Sequence, residues 1–288
     1  MEARVFIRED GEVDTTGVSV ALPWWSFTKT ALAIALLRLS ERGRVSLDEA
    51  VDGKPYTPVQ LLRHEAGLPD YASLPSYHAD VEARREPWSV DDLLNAVEAD
   101  RLRYEPGHGW AYSNIGYLEV ARLIEKASEL PLADALADLV FIPAELATAR
   151  LAVTPADLAD VRMGDAVGYH PGWVYHGLVV GTAMDAACLL RRLLSGDLVR
   201  PHSLSRMLEP RPLPQFRSEL HPDSAYGLGL MLSATNPLGH PIGHSGSGPG
   251  SWIAVYEQQG TTCVVWAATA SGVDPEAEVF QSLPNGGI

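Results

Sequence analysis

The first residues able to do chemistry together are Ser26-Phe27-Thr28-Lys29. A spacing of three on a helix puts Ser26 Oγ and Lys29 Nζ on one face. Serine needs a base beside it, and a lysine flanked by Trp25, Phe27 and the apolar run Ala31 to Leu37 should lose solvation. That disfavours its charged form and brings its pKa toward a useful range. Ser26 also sits at the expected helix N-terminus, where the positive dipole end and a free backbone N–H could stabilise an oxyanion. Taken alone this signal is weak, because Ser-x-x-Lys arises often by chance and Ser26 could be only an N-cap.

Two further constellations follow. Tyr112-Ser113-Asn114 comes after Pro106-Gly107-His108-Gly109 and just ahead of a helical pattern starting near Ile115. Tyr112 can relay a proton to or from Ser26 Oγ or a leaving group, and Asn114 can donate its amide to a substrate carbonyl. The plainer alternative is that Asn114 caps the helix and Tyr112 packs. Gly243-His244-Ser245-Gly246-Ser247-Gly248-Pro249-Gly250 stands before a strand pattern. A backbone N–H there could complete an oxyanion hole, and His244 and Ser245 could hold a substrate carboxylate. A hairpin turn is the competing reading. The segment fits neither an α/β-hydrolase elbow nor a dinucleotide-binding loop.

These residues need elements to hold them. Arg4 to Ile7 and Val13 to Ala21 are β-rich runs around Asp10-Gly11, which predicts a hairpin. Ser26 to about Arg42 is a helix pattern apolar on nearly every side, as expected of a central helix, and Gly43 stops it. Helical patterns follow at Pro58 to His64, Val90 to Asp100, Ile115 to Ser128, Leu132 to Val140 and Thr182 to Leu194. Strand patterns return at Gly227 to Ser233, Ser251 to Glu257 and Thr261 to Ala268. The simplest architecture is α/β (α+β): N- and C-terminal strands share one antiparallel sheet, with an inserted all-helical lobe beside it. The expected lobes are 1–46 plus 200–288, carrying the sheet and the Ser26 helix, and 47–199, mainly helical.

Composition removes whole classes of function. At 288 residues, 46% hydrophobic and 20% charged, the chain should fold into a substantial core. A formal charge of −15 repels phosphate backbones and anionic lipids, so neither nucleic acid nor a membrane is expected as a partner. The only lysines are Lys29, Lys54 and Lys126, which makes a lysine inside an apolar run unusual. Cys188 and Cys263 are read as two buried thiols, and no CxxC or HExxH spacing suggests a metal. The start, Met1 to Val5, lacks a signal-peptide profile, and no apolar run approaches bilayer length, so the expected location is cytoplasmic.

Together and in this order, Ser-x-x-Lys, Tyr-x-Asn and His-x-Gly are far more specific than apart. The chain resembles the serine β-lactamase and penicillin-binding protein superfamily, in its class C, D,D-peptidase and esterase-like branch. Supporting stretches are Leu61 to Leu68, Phe141 to Leu146, Gly181 to Asp185 and Tyr226 to Leu230, so the likeness covers about residues 20 to 270. The resemblance implies the β-lactamase-like fold and Ser26 as the nucleophile, with Lys29 and Tyr112 sharing general-base and general-acid work. Asn114 would position the substrate, and His244, Ser245 and Gly246 would replace the family's Lys-Thr-Gly. The N–H groups of Ser26 and Ser247 would form the oxyanion hole. The course would be an acyl-enzyme hydrolysed by water, with no cofactor. His64, His78, His170 and His176 are read as non-catalytic.

The chain also departs from the family. Histidine at 244 removes a permanent charge, since imidazole ordinarily titrates near ~6.5, so a penicillin carboxylate should be held less firmly than a neutral ester or amide. Both terminal helices that cover one sheet face look short or missing, with at most two turns between Pro275 and Phe280 before Pro284-Asn285-Gly286-Gly287. A homodimer is therefore expected to cover an exposed apolar face. The reading is a hydrolase of a small ester or amide, in a cleft lined by Trp24, Trp25, Tyr112 and Trp110 or Trp173. A D,D-peptidase or weak β-lactamase acting on a β-lactam is the first alternative, and a non-catalytic ligand-binding module the second.

Overall fold

The computed structural model describes residues 2–236 and 239–284. Glu2–Ile7 (β1) and Val13–Gly17 (β2) form the expected hairpin, and Leu22–Pro23 (β3) leads into a 3₁₀ turn at Trp25–Phe27 and helix α1, Thr28–Glu41. Every residue of α1 from Thr28 to Leu37 is buried, which accounts for a helix sequence with no polar face. Then come α2 (Pro58–Leu62), α3 (Pro75–Glu82), α4 (Val90–Ala96), α5 (Asn114–Ser128) and α6 (Leu132–Leu136). The last runs into a wider turn at Ala137–Phe141, and α1 packs against both that turn and α5.

Next come β4 (Arg150–Ala152), β5 (Leu178–Gly181), α7 (Ala183–Leu194) and α8 (Pro201–Met207). The chain closes with β6 (Arg211–Pro212), β7 (Ser224–Tyr226), β8 (Met231–Ser233), β9 (Ile242–Gly248), β10 (Ser251–Gln258), β11 (Thr261–Ala268) and α9 (Pro275–Ser282). One antiparallel sheet runs β2-β1-β11-β10-β9-β8-β7-β6. Its two chain ends meet where β1 pairs β11, Arg4 opposite Val265 and Val5 opposite Val264. Terminal strands in one antiparallel sheet are as expected from the sequence.

Other expectations are corrected. The inserted segment is not all helical: its β4 and β5 join β3, which precedes it, in a second, three-stranded sheet, and Trp24 N–H extends this pairing to the Val179 carbonyl. These strands are too short to show a period of two. Helix α7 falls inside residues 47–199 yet packs on β1, β10 and β11, and Arg191 at its end donates to the carbonyls of Arg8 and Gly260. Helices α3 and α8 had no clear apolar stripe and were not expected. Gly227 to Ser233 is not one strand, because Gly227 N–H turns back to the Leu230 carbonyl before β8 begins. The segment from Gly243 to Gly248 is itself strand, paired with β10 along its length, and only Pro249-Gly250 makes the turn.

Helix α9 is the predicted two turns, and two turns suffice. Asp274 caps it by accepting from the N–H groups of Glu276 and Ala277. Val279 and Phe280 lie on Ala254, Tyr256, Cys263 and Val265, all buried, and Arg4 pairs with Glu278 at the edge. Among the described residues, α9 thus covers the β10 and β11 face for which a homodimer was expected. The Asn285-Gly286-Gly287 stretch lies outside the described residues. Cys263 is buried beneath α9, whereas Cys188 is only half-buried, and both are free thiols. Among the described residues no helix is long and apolar enough to cross a membrane.

Candidate active site

Ser26 lies in the 3₁₀ turn ahead of α1, two residues before the helix that was expected to begin with it. No side chain caps either element, so Ser26 Oγ is not consumed as an N-cap. Its neighbour Trp25 takes φ 44°, a left-handed conformation that side chains other than glycine adopt at a cost. Packing holds it there: Trp25 Nε1–H donates to Ser251 Oγ at 3.1 Å, and its ring meets Tyr169 edge-on at 5.5 Å. The backbone N–H of Ser26, in a first helical turn, has no intrahelical acceptor.

Lys29, the second residue of α1 and three on from Ser26, is fully buried. Its Nζ stands 3.3 Å from Ser26 Oγ, 2.7 Å from Asn114 Oδ1 and 3.2 Å from His176 Nε2. The rings of Tyr112 and Tyr117 flank it, with centroids 4.8 and 5.4 Å away. Burial brings its pKa down from 10.5 to about 7, with the charge of Asp70 pulling the other way. The free base is then accessible at neutral pH.

Tyr112 O–H donates to Ser26 Oγ at 2.9 Å. Burial pushes the phenol well above its ordinary value of 10, against the hydrogen bond to Ser26, so at neutral pH it holds its proton. The capping alternative for Asn114 is resolved by Ser113, whose hydroxyl accepts from Gly116 N–H and whose own N–H donates to His64 Nδ1. That leaves the Asn114 side chain for Lys29, while its backbone N–H donates to Asp70 Oδ1 at 3.0 Å. The ring of His64 packs on Tyr112 at 4.4 Å.

Strand β9 pairs with β8 only at Gly243, so from His244 onward its other edge has no strand partner among the described residues and lies against the Ser26 turn. A Cβ on Gly246 would stand 2.7 Å from Ser26 N, which ties glycine there to the approach of the two backbones. His244 does not reach the cleft. Its Nε2 meets the Tyr226 hydroxyl at 2.9 Å and its Nδ1 the Ser245 carbonyl at 2.5 Å, so no nitrogen is left for a substrate carboxylate. Burial, then the nearby Lys29, lower its pKa from 6.5 to about 4, so it is neutral across the range in which it was expected to titrate. Ser245 Oγ turns to Met231 Sδ at 3.8 Å, leaving Ser247, Gly248 and Pro249 as the members of this motif that line the cleft.

The cleft holds about 460 Å³. Around Ser26, Asn114 and His176 its walls are chiefly Trp25, Tyr71, Tyr77, Tyr169, Val174 and Trp252. Four expected wall residues are not part of the lining: Trp24 is buried with Nε1–H on the Gly181 carbonyl, Trp173 is buried beside Tyr77, Trp110 packs on Phe216, and Tyr112 meets the site through its O–H on Ser26 Oγ. Sequence reasoning missed Asp70 and Tyr169, and it set His176 among the non-catalytic histidines. No spacing links these residues to Lys29, and only the folding of their loops onto α1 brings them together. Among the described residues lining the cleft there is no arginine or lysine.

The model of the family described as Beta-lactamase matches residues 21–282. Penicillin-binding protein 4* of Bacillus subtilis is 35% identical over 136 residues, 44% of this chain and 29% of that protein, so the match spans less than a third of the relative's length. A D-stereospecific amidohydrolase from Streptomyces sp. superposes with a TM-score of 0.77 at 23% identity, covering 93% of this chain and 88% of the other. D-amino acid amidase from Ochrobactrum anthropi superposes with a TM-score of 0.75 at 21% identity, covering 92% and 84%.

Proposed function

Because this chain belongs to the β-lactamase family, we propose that it is a serine hydrolase in which Ser26 is acylated by a small, uncharged ester or amide. The observation that carries the reading is the fully buried Lys29 amine, 3.3 Å from Ser26 Oγ with its pKa near 7. As free base it takes the Ser26 proton while Oγ attacks the substrate carbonyl carbon. The developing oxyanion accepts hydrogen bonds from the N–H groups of Ser26 and Ser247. Tyr112, protonated and 2.9 Å from Oγ, gives its proton to the departing alcohol or amine and takes one back from the Lys29 ammonium, so that both return to their starting forms. Water then hydrolyses the ester on Ser26.

The preference for an uncharged acyl group rests on the cleft lining, which lacks arginine and lysine, and on a His244 that is neutral and fully bonded. A carboxylate would find no arginine or lysine among the described lining residues to offset its desolvation. Aromatic walls suit an apolar acyl group. The amide of a D-amino acid carries no carboxylate, and the Ochrobactrum protein is named a D-amino acid amidase and the Streptomyces one a D-stereospecific amidohydrolase. A D,D-peptidase or weak β-lactamase would use the same serine on carboxylate-bearing substrates.

Intact mass after incubation with a fluorophosphonate, and separately with a penicillin, tests the proposal in wild type and Ser26→Ala. We expect a single fluorophosphonate adduct that is absent in Ser26→Ala, and little penicilloyl adduct. No adduct from either reagent would leave a ligand-binding module as the better reading. Turnover of D-Ala-D-Ala peptides and cephalosporins above that of short acyl esters would move the assignment to the peptidase alternative.

A further inference from the structure

The contact between Lys29 Nζ and His176 Nε2, at 3.2 Å, has no part in the mechanism above. His176 comes from the loop before β5 and is 3% exposed, and its Nδ1 is buried without a hydrogen-bond partner among the described residues. A histidine kept only to fill space could be exchanged for an apolar ring and shed that unpaired polar atom.

The Lys29 amine explains why an imidazole is useful here. As an ammonium it has three N–H donors, matching its three polar neighbours, Ser26 Oγ, Asn114 Oδ1 and His176 Nε2. As the free base it has two N–H groups and one lone pair. Asn114 Oδ1 can only accept, so it takes one N–H. If His176 Nε2 also accepts, the lone pair is left facing Ser26 Oγ, the only neighbour with a proton to give in the reaction. If His176 instead carried its proton on Nε2, it would donate into the lone pair and occupy the base. We infer that His176 is a positioning residue, held neutral with its proton on Nδ1, that aims the Lys29 lone pair at Ser26.

The charged and titratable groups facing this pair are Asp70, the phenols of Tyr112 and Tyr117, and the imidazoles of His64 and His244. Burial first, then Lys29, His64 and His244, hold His176 well below the ordinary imidazole pKa, consistent with a neutral acceptor. The inference rests on the acyl-enzyme reading, and the test separates the two.

The rate of fluorophosphonate labelling of Ser26 is followed against pH in wild type, His176→Phe and His176→Gln. Wild type should label faster as pH rises through about 7, where Lys29 becomes free base. Without the imidazole acceptor the ammonium is harder to keep, so His176→Phe should move this limb about one pH unit lower. Its plateau should fall about tenfold or more because the lone pair is no longer aimed. His176→Gln, which restores an acceptor oxygen, should return the limb toward wild type. A limb in His176→Phe that coincides with wild type overturns the inference, whatever happens to the plateau. Imidazole 15N shifts of the unaltered protein need no variant: a bare Nε2 and protonated Nδ1 at pH 7 support the assignment, and a protonated Nε2 overturns it. A wild type that takes no label overturns the hydrolase reading, and the 15N result then decides the His176 contact on its own.

Discussion

Gly248 lies so close to the indole of Trp25 that a methyl group on it would fall 2.4 Å from a ring carbon. The glycine-rich run in β9 is therefore the surface against which the residue before Ser26 is pressed into its left-handed turn.

Gly248→Ala must displace either Trp25 or β9. Overpacking of this kind costs about 1–3 kcal/mol, and any movement of Trp25 carries Ser26 away from Lys29. Thermal unfolding should fall by several degrees and Ser26 labelling by about tenfold or more. Wild-type labelling in a destabilised Gly248→Ala would show that the turn is held by other contacts.

Asp70 is the residue whose charge opposes the desolvation of Lys29. Asp70→Asn keeps an oxygen for the Asn114 N–H but removes the charge, so the Lys29 pKa should drop further. The acidic limb of labelling should then lie at lower pH than in wild type. An unchanged or raised limb would assign the limb to another group.

Burial of Lys29 also has a stability cost whose sign depends on pH. The unfolded chain holds this proton up to 10.5 and the folded one only to about 7, so stability rises with pH between those values and the penalty is greatest below 7. Lys29→Met should therefore raise the melting temperature more at pH 6 than at pH 10. Equal gains at the two pH values would mean that Lys29 titrates normally in the folded protein.

His244 acts in the acid range. Unfolded it titrates near 6.5 and folded near 4, so the stability it contributes is complete above 6.5 and is lost as pH falls through 4. His244→Gln removes that uptake. Its unfolding free energy, from urea titrations between pH 4.5 and 6, should depend on pH less steeply than in wild type, by up to about 1.4 kcal/mol per pH unit. Parallel slopes would show that the ring is not buried neutral.

How much of this was legible in the chain differs from residue to residue. Ser26 and Lys29 were readable because helix spacing is local, and the low solvation of Lys29 followed from its apolar neighbours. Terminal strands in one sheet were readable because β10 and β11 carry clear β patterns and the hairpin has its turn residues. The strands β4 and β5 were not, being three and four residues long, and neither was the turn at Gly227 to Leu230.

The site divides in the same way. The residue types and their order along the chain determined which family this is, that a serine and a lysine share a helical face, and that no permanent cation stands at position 244. Tertiary structure alone decided that His244 turns away to Tyr226, that Ser113 rather than Asn114 caps α5, and that His176 reaches Lys29 from 147 positions away. The reason is physical. Spacing along one helix is set by the backbone itself, whereas a side chain's partner across the fold depends on how loops close over a buried surface, and burial is what sets the protonation of Lys29 and His244.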